Sequence, residues 1–210
     1  MNELNRFDGI APYYESLKRL VFGKAIHEAE IYCVPFIKAG AKVLIVGGGS
    51  GEMLRVLLNA VPDCRVWYVE ASARMIKLAT KTVGVHGSRV IFVHGTQPSM
   101  PVGFEFDVVV TNFFLDLFPE EKIARICNAN NKLLCPEGMW IITDFVEGRK
   151  WWQGFLLWVM YRFFRVACAI DARRLPDWEQ TVKDNGFYKK LEGMFYSAFI
   201  KASLWIKGPT

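Results

Sequence analysis

The sequence predicts an α/β fold in which helices cover both faces of a doubly wound, mostly parallel sheet of seven strands. Two patterns support this prediction. Short apolar runs of strand length alternate with longer helical stretches, and a glycine-rich loop follows the first of these runs. The chain has 210 residues, of which 52% are hydrophobic. It is therefore long and apolar enough to form one domain with a sizeable core.

The parallel part of the sheet is predicted from apolar runs of the kind expected in strands that are covered on both faces. The four strongest runs are 42–46, 65–69, 106–111 and 139–143, and a weaker one is 90–93. Helix-length stretches lie between them at 50–60, 73–83 and 119–133. Strands that alternate with helices at this spacing should pair in parallel.

The two ends of the chain depart from this alternation. Two amphipathic helices are predicted ahead of the first strand, at 7–20 and 24–36. Near the other end, 176–185 is predicted to form a helix that Gly186 ends in the left-handed conformation. The last two strand-like runs, 187–196 and 199–207, are joined too closely for a helical crossover, so they should pair antiparallel.

Charge and cysteine content exclude several classes of function. The net charge is +5, but the basic residues are scattered rather than interleaved with aromatic ones. A nucleic-acid partner is therefore not expected, and only a weak preference for anionic surfaces or substrates follows. The five cysteines form no CxxC pair, which favours reduced thiols in the cytoplasm over a metal site or disulfides. The first residues do not have the pattern of a signal peptide.

The most informative segment is VLIVGGGSGE at 43–52, where an apolar strand runs into a loop with glycines at Gly47, Gly49 and Gly51. Such glycines allow a tight turn and let the backbone approach a ligand closely. The helix that follows presents unpaired N–H groups to polar or anionic ligand atoms. At the end of the second strand, Glu70 offers a carboxylate that can accept hydrogen bonds from both ribose hydroxyls of a nucleoside.

The spacing separates this loop from two other nucleotide-binding loops. A dinucleotide fingerprint needs a third small residue where this chain has Glu52, and a Walker A loop needs a Gly-Lys-Ser/Thr sequence that is missing. A nucleoside bound through its ribose is therefore the favoured ligand. A glycine-rich turn beside a surface glutamate, with no ligand, is the alternative that these residues leave open.

Together these features resemble the class I S-adenosylmethionine-dependent methyltransferases, which have a Rossmann-like sheet, over roughly 7–207. The segments that carry the resemblance are VLIVGGGSGE, YVEASARM, VIFVHGTQ, FDVVVTNFF and LLCPEGMWIITDF. The opening FDGIAPYY also resembles that of ubiquinone- and menaquinone-type methyltransferases, where it closes over the cofactor. The resemblance implies S-adenosylmethionine as cofactor and a single domain. Its parts are a helical cap (1–40), a cofactor-binding core (41–145), an apolar helical insertion (146–175), and a C-terminal helix with an antiparallel strand pair (176–210).

The resemblance also implies a set of cofactor-binding residues. The glycine loop borders the methionine and the ribose, Glu70 meets the ribose, the second and third motifs meet the adenine, and Tyr14 and the fourth strand end near the methionine. The full set is Tyr14, Gly47, Gly48, Gly49, Gly51, Glu70, Ala71, Met75, Gly95, Thr96, Gln97, Asn112 and Phe113. Two positions depart from the family's pattern, because Ile45 and Thr96 stand where acidic residues are usual.

The run from 151 to 170 is strongly apolar. A transmembrane helix is not expected there, because Arg162 and Arg165 lie inside the run and each costs about 2.5–3.5 kcal/mol at a bilayer centre. As an amphipathic helix, the run is predicted to share one wide apolar face among Trp152, Phe155, Leu156, Val159, Met160, Phe163, Val166 and Ile170. The opposite side carries Lys150, Gly154, Tyr161 and the two arginines. Three roles stay open: core packing with the interface of a homodimer, a lid over an apolar acceptor pocket, and peripheral contact with a membrane surface.

Methyl transfer from a sulfonium needs alignment rather than a nucleophilic residue or a metal, so no catalytic residue is assigned and no metal is expected. Asp116 and Asp144 follow the fourth strand and end the fifth, where they either contact the acceptor or cap loops. The sequence therefore predicts an enzyme that methylates a small apolar or aromatic molecule. The alternatives are an aminopropyltransferase that uses decarboxylated S-adenosylmethionine and a non-catalytic interaction protein whose cofactor cleft is filled by side chains.

Overall fold

The computed structural model describes residues 8–9, 11–96, 103–148, 150–168 and 170–208, and for 12–15 it describes the backbone alone. The strands in these ranges are β1 (Lys42–Val46), β2 (Arg65–Glu70), β3 (Val90–His94), β4 (Phe106–Asn112), β5 (Leu134–Phe145), β6 (Phe187–Phe195) and β7 (Ile200–Lys207). The helices are α1 (Ala11–Phe22), α2 (Ala25–Ile31), α3 (Glu52–Ala60), α4 (Ala73–Thr82), α5 (Glu120–Leu133), α6 (Trp151–Cys168) and α7 (Trp178–Asp184). Short 3-10 turns lie at Val34–Phe36, Gly84–Arg89 and Leu115–Leu117.

The strands form one sheet in the order β3-β2-β1-β4-β5-β7-β6. The first five strands pair in parallel, and β7 pairs antiparallel with both β5 and β6. The strand order reverses direction between β1 and β4, so the sheet has a crevice at the carboxyl ends of these two strands. The predicted α/β fold, with a mostly parallel sheet of seven strands, is confirmed.

Strand β1 shows why its residues form a buried parallel strand. Successive side chains point to opposite faces of a sheet. On one face Val43 and Ile45 pack with apolar residues of α3, and on the other Leu44 and Val46 pack with apolar residues of α5. All four side chains are buried. Since both faces need apolar side chains, the run from 43 to 46 contains no polar residue.

The C-terminal hairpin completes the sheet as predicted. β6 and β7 pair antiparallel from Phe187↔Lys207 to Phe195↔Ile200. The turn between them runs through three residues of positive φ, namely Tyr196, Ser197 and Ala198, with φ of 49°, 57° and 63°. The Tyr196 hydroxyl donates to the Val21 carbonyl at 2.8 Å, which ties the hairpin to the end of α1.

Two elements have ends that differ from the predicted ones. Strand β5 begins at Leu134, directly after α5, rather than at 139. Its first part is irregular, with a register shift against β4 and a φ of 59° at Glu137. This part therefore lacks the run of consecutive apolar residues from which the strand was predicted. Helix α2 ends at Ile31 rather than at 36, because Pro35 removes a backbone donor and starts a 3-10 turn. The predicted start of the first helix at residue 7 lies outside the described residues.

Helix α6 buries a different face from the predicted one. Its most deeply buried side chains are Gln153, Tyr161 and Cys168, whereas Phe155 and Val166 of the predicted apolar face are exposed. The polar side chains lie inward because the fold supplies hydrogen-bond partners. The Gln153 amide donates to the Ser197 carbonyl at 3.0 Å, and the Tyr161 hydroxyl donates to the Asp116 carbonyl at 3.0 Å.

No helix within the described ranges is long and apolar enough to cross a membrane.

Candidate active site

The glycine loop that follows β1 requires glycine for different reasons at different positions. Gly47 has a φ of +67°, and a Cβ there would lie 2.6 Å from the ring of Phe114. At Gly49, with a φ of +66°, none of the described atoms lies within 4 Å of the Cβ position, so this residue faces open space. Gly51 begins α3 with a φ of +91° and packs against Ala79 of α4. The loop therefore leaves room for a ligand at Gly49, whereas Gly51 serves helix packing.

Glu70 lies at the carboxyl end of β2 and reaches back to this loop. Its carboxylate accepts hydrogen bonds from the backbone N–H groups of Gly49 at 2.9 Å and Ser72 at 2.8 Å. Burial raises the pKa of the Glu70 carboxyl, while N–H bonds from Ser72, Gly49 and Ala71 oppose that rise. Each carboxylate oxygen has a second lone pair, so the group can still accept hydrogen bonds from a pair of hydroxyls.

A cleft of about 280 Å³ opens beside these residues at the carboxyl ends of the parallel strands and is named here the donor cleft. It is lined by nine residues of the predicted set: Gly47, Gly49, Glu70, Ala71, Met75, Gly95, Thr96, Asn112 and Phe113. Gly48 lines a smaller adjoining cavity, and Gly51 lines neither. The side chain of Tyr14 and all of Gln97 lie outside the described residues.

Several walls of the donor cleft were not predicted from the sequence. The residues beyond the predicted set include Phe114, Leu117, Phe118, Lys122, Ile126, Cys168, Ile170 and Asp171. Phe114 directly follows the predicted pair at the end of β4, so it could have been predicted with them. Lys122 and Ile126 are four residues apart on one face of α5, and this helical spacing could also have indicated them. Asp171, whose carboxylate lies 3.0 Å from the Lys122 ammonium, arrives from beyond α6, and no spacing in the sequence indicates it.

The smaller cavity, of about 40 Å³, is charged and lies on the other side of the glycine loop. The Lys18 ammonium lies 3.6 Å from the carboxylates of both Glu30 and Glu52. His27, Glu30 and Glu52 have the atom types of a metal site, but the Lys18 cation already sits among the acids. Asn112 lines both cavities, and its buried Oδ1 has no hydrogen-bond partner among the described residues. An orphaned buried acceptor of this kind fits a ligand that donates a hydrogen bond.

A third cavity, of about 240 Å³ and named here the apolar pocket, lies under α6. It is lined by residues of α1, α2, α6 and the strand ends: Leu17, Lys18, Val21, Phe22, Ile26, Phe113, Asp116, Leu117, Phe145, Leu156, Val159, Met160, Phe163 and Phe164. Phe113 and Leu117 also line the donor cleft, so the two openings share a wall.

Two buried acids lie beside that shared wall. Asp144, at the end of β5, accepts hydrogen bonds from the backbone N–H groups of Phe114, Leu115 and Asp116, at 2.9–3.3 Å, and from its neighbour Phe145 at 2.9 Å. Asp116 is buried next to it, and its Oδ1 has no hydrogen-bond partner among the described residues. Burial raises the pKa of Asp144 to about 6. Burial, and then the charge of Asp144, raise the pKa of Asp116 well above its usual range.

Asp8 contacts the loop between β2 and α4. The Ser72 hydroxyl and the Arg74 backbone N–H both donate to the Asp8 carboxylate, the latter at 3.2 Å. The Arg74 guanidinium donates to the Asp8 carbonyl at 3.1 Å. Because the Ser72 backbone also donates to Glu70, these contacts place Asp8 beside the donor cleft.

Comparison with known proteins agrees with this geometry. Residues 43–138 match the family model described as "Methyltransferase domain". None of the curated proteins matches the chain.

Solved structures match over most of the chain. A chain of the complex that contains the Haloferax volcanii Trm112 methyltransferase activator has a TM-score of 0.72 and 14% identity, covering 98% of this chain and 97% of that chain. The mitomycin 7-O-methyltransferase MmcR has a TM-score of 0.72 and 14% identity, covering 99% and 62%. Magnesium protoporphyrin IX methyltransferase from Synechocystis PCC 6803, solved with bound SAH, has a TM-score of 0.63 and 18% identity, covering 87% and 82%. The chain thus spans about three fifths of the length of MmcR.

Proposed function

We propose that this chain is a class I S-adenosylmethionine-dependent methyltransferase and that it transfers the methyl group to a small apolar or aromatic acceptor. The observation that carries the proposal is the shared wall between two openings of different chemistry. The donor cleft has Glu70 and the glycine loop at its edge, and the apolar pocket meets it at Phe113 and Leu117. A donor and an apolar acceptor bound in these openings would meet at that wall.

The donor cleft fits S-adenosylmethionine part by part. Glu70 would accept hydrogen bonds from the ribose hydroxyls, and Met75, Ala71, Gly95 and Thr96 would surround the adenine. A nucleoside held in this way would extend past Gly49, where the backbone leaves open space. No acidic residue is needed at Thr96 for this placement, because its hydroxyl can also accept a hydrogen bond.

The methionine end of the cofactor fits the charged cavity behind the glycine loop. The orphaned Asn112 Oδ1 would accept a hydrogen bond from the amino group, and Glu30 and Lys18 supply one charge of each sign for the amino acid zwitterion. Ile45, which stands where the family usually has an acid, is buried in the core. Glu30 on α2 would thus supply a carboxylate that β1 lacks.

The chemistry needs little beyond alignment. The bound cofactor supplies an activated methyl group with its own leaving group, and the chain has to hold the acceptor in line with it and exclude water. The apolar walls of α1 and α6 would serve both purposes. The cleft is open rather than filled by side chains, contrary to what the non-catalytic alternative predicts.

Binding of S-adenosylhomocysteine, measured by calorimetry, tests the donor site. The wild-type protein is expected to bind it, and Glu70→Gln is expected to bind it about 10- to 100-fold more weakly, because hydrogen bonds to a charged group contribute about 1.5–3 kcal/mol. The exposed Glu121 of α5 provides the control, since Glu121→Gln should bind like the wild type. Absence of binding, or equal binding by the two variants, would overturn the proposal.

We also propose that the outward face of α6 rests on an anionic phospholipid surface. Trp151, Trp158 and Val166 on this face are 85%, 61% and 86% exposed. Arg162 and Arg165 lie on the same exposed face. A helix that combines exposed tryptophan and arginine in this way suits the interface of a membrane. Val159 and Phe163 line the apolar pocket and are also partly exposed, so a lipophilic acceptor could pass from the membrane into the pocket.

Sedimentation with lipid vesicles tests this contact. Binding is expected to phosphatidylglycerol vesicles and to be much weaker with phosphatidylcholine, and Arg162→Gln should reduce it about fivefold, since a basic residue contributes about 1 kcal/mol near an anionic surface. Trp158→Ser should also weaken binding, whereas Val85→Ser, at an exposed position outside α6, should not. Equal binding to both vesicles, or a homodimer in ultracentrifugation that Trp158→Ser dissociates, would assign the face to another role.

A further inference from the structure

We propose that Asp116 is a catalytic residue that binds the hydroxyl group of a lipophilic acceptor and accepts its proton, which is relayed to Asp144. The inference rests on the proposed function, because it assigns the acceptor to the apolar pocket. It narrows the acceptor from an apolar molecule to an apolar molecule with a hydroxyl group.

The lining of the apolar pocket leaves one residue for polar recognition. Its walls are aliphatic and aromatic except for Lys18 and Asp116. The Lys18 ammonium lies near Glu30 and Glu52 on the other side of the glycine loop. Ligand sites with mostly apolar walls use a few placed polar groups to orient the ligand. In this pocket, that group is the carboxyl of Asp116.

The orphaned oxygen of Asp116 is a second, independent observation. Its side chain is 7% exposed, and the buried Oδ1 has no hydrogen-bond partner among the described residues. Leaving a buried polar atom unpaired is costly, so native proteins usually satisfy such atoms or use them. Because Asp116 also lines the apolar pocket, a hydroxyl group bound there would lie beside this carboxyl group.

The two acids are arranged so that Asp116 holds the proton and Asp144 the charge. Asp144 accepts four backbone N–H bonds, which stabilise a carboxylate. The backbone N–H of Asp116 also donates to Asp144, so the two acids are direct neighbours, and two carboxyl groups held this close favour a state in which they share one proton. Burial and the neighbouring charge raise the pKa of Asp116. A protonated Asp116 keeps a carbonyl oxygen, which accepts a hydrogen bond from a hydroxyl.

Helix α6 holds this arrangement in place. The Tyr161 hydroxyl donates to the main-chain carbonyl of Asp116 at 3.0 Å. Met160 and Phe164, on either side of Tyr161 in the sequence, line the apolar pocket. Helix α6, which covers the pocket, is thus hydrogen-bonded to Asp116, the residue that would bind the acceptor's hydroxyl group.

The transfer of the proton balances. As the acceptor oxygen forms its bond to the methyl carbon, the bond from that carbon to the cofactor's sulfur breaks, and its electron pair stays on the sulfur. The hydroxyl proton moves to Asp116 Oδ1 while the proton of Asp116 moves to Asp144. The pair then holds two protons and no charge, and it releases one proton to solvent after the product leaves. A carboxylate acceptor is disfavoured, because the resting pair carries one negative charge in an apolar pocket.

Binding of matched compounds tests the inference separately from the donor site. In the presence of S-adenosylhomocysteine, the wild type is expected to bind naphthol and hexylphenol about tenfold more tightly than naphthalene and hexylbenzene, as expected for one buried hydrogen bond. Asp116→Leu, which has no hydrogen-bond acceptor, should bind S-adenosylhomocysteine like the wild type and lose most of this preference for the hydroxyl compounds. Asp184→Asn, at an exposed position on α7, should change neither.

The pH dependence of the wild type gives a readout that needs no variant. Methylation of naphthol is expected to fall as the pH drops through about 6, the pKa to which burial raises Asp144, because a protonated Asp144 cannot receive the relayed proton. A rate that is flat across this pH overturns the relay, and equal binding of naphthol and naphthalene overturns the assignment of the hydroxyl. Absence of S-adenosylhomocysteine binding would overturn the donor site instead, so the two failures are distinguishable.

Discussion

The donor cleft and the apolar pocket share a wall, but they are built differently. One side of the donor cleft is formed at the ends of β1, β2 and β4, where the glycine loop and Glu70 lie. The apolar pocket is formed by side chains of α1 and α6, which lie more than a hundred residues apart in the chain. A glycine loop and its partner acid need particular residues at particular spacings, so the sequence can predict them. A pocket formed by packing needs only apolar volume, so spacing in the sequence does not identify its lining residues.

The largest expected effect concerns the backbone of the donor cleft. Gly47→Ala introduces a Cβ at a φ of +67° and 2.6 Å from Phe114. We expect the free energy of unfolding to fall by about 1–3 kcal/mol and S-adenosylhomocysteine to bind more than about 100-fold more weakly, as displaced binding geometry implies. Denaturation and calorimetry measure both. Gly154→Ala on α6, where none of the described atoms crowds the Cβ position, should instead raise stability by about 0.5–1 kcal/mol.

A second variant tests which part of the donor meets the charged cavity. Asn112→Leu removes the orphaned acceptor and should weaken S-adenosylhomocysteine binding about tenfold. Methylthioadenosine, which has no amino acid end, should bind the variant and the wild type equally. Asn59→Leu on the exposed side of α3 is the control. Equal loss of both ligands in Asn112→Leu would show that Asn112 supports the cleft rather than the methionine end.

Substitutions at two neighbouring positions of α6 distinguish the role of the apolar pocket from that of the outer surface. Leu156 lines the apolar pocket, whereas Phe155 is 61% exposed. Leu156→Trp should fill the pocket and abolish naphthol binding while S-adenosylhomocysteine binds within about twofold of the wild type, since overpacking here leaves the donor cleft untouched. Phe155→Trp should bind both ligands normally. An equal loss of naphthol binding in both variants would contradict the assignment of the acceptor to the apolar pocket.

The smallest expected effect is on stability. Because burial raises the pKa of Asp116, the folded state binds a proton more tightly than the unfolded state. The free energy of unfolding of the wild type should therefore decrease as the pH rises through the folded pKa. Asp116→Asn cannot lose this proton, so its stability relative to the wild type should rise between about pH 5 and pH 8. Urea denaturation at the two pH values measures the difference, and an unchanged difference would contradict a protonated Asp116.

Most of the sheet and much of the donor cleft could be predicted because their residues follow local rules. Val43–Val46 must be apolar on both faces, and glycine is the residue that adopts the positive φ of Gly47, Gly49 and Gly51 without strain. Gly51 fits the spacing of the glycine motif, but it packs against Ala79 rather than lining the donor cleft. The spacing alone does not distinguish a glycine required by packing from one required by a ligand. A pattern records where glycine is needed but not which neighbour requires it.

An apolar pocket under 151–170 is one of three roles that the sequence leaves open, but its lining could not be predicted, because polarity does not decide burial on α6. Gln153 and Tyr161 point inward, since Ser197 and Asp116 supply partners from distant parts of the chain. The sequence predicts that Asp116 and Asp144 lie at the sheet edge and either contact the acceptor or cap loops, but it does not predict that they lie against each other. Their contact depends on the pairing of β4 with β5 and on the turn after β4, neither of which appears in residue spacing.

The distribution of the pocket's walls has a consequence for how such a protein can evolve. Apart from Phe113, Asp116 and Leu117, the lining of the apolar pocket comes from outside residues 43–138, the stretch that matches the methyltransferase domain model. If the apolar pocket holds the acceptor, as proposed above, mutations in α1 and α6 would change acceptor preference without changing the glycine loop or Glu70. A lineage built on this plan would acquire new substrates through changes at two helices, without passing through ancestors that have lost their cofactor.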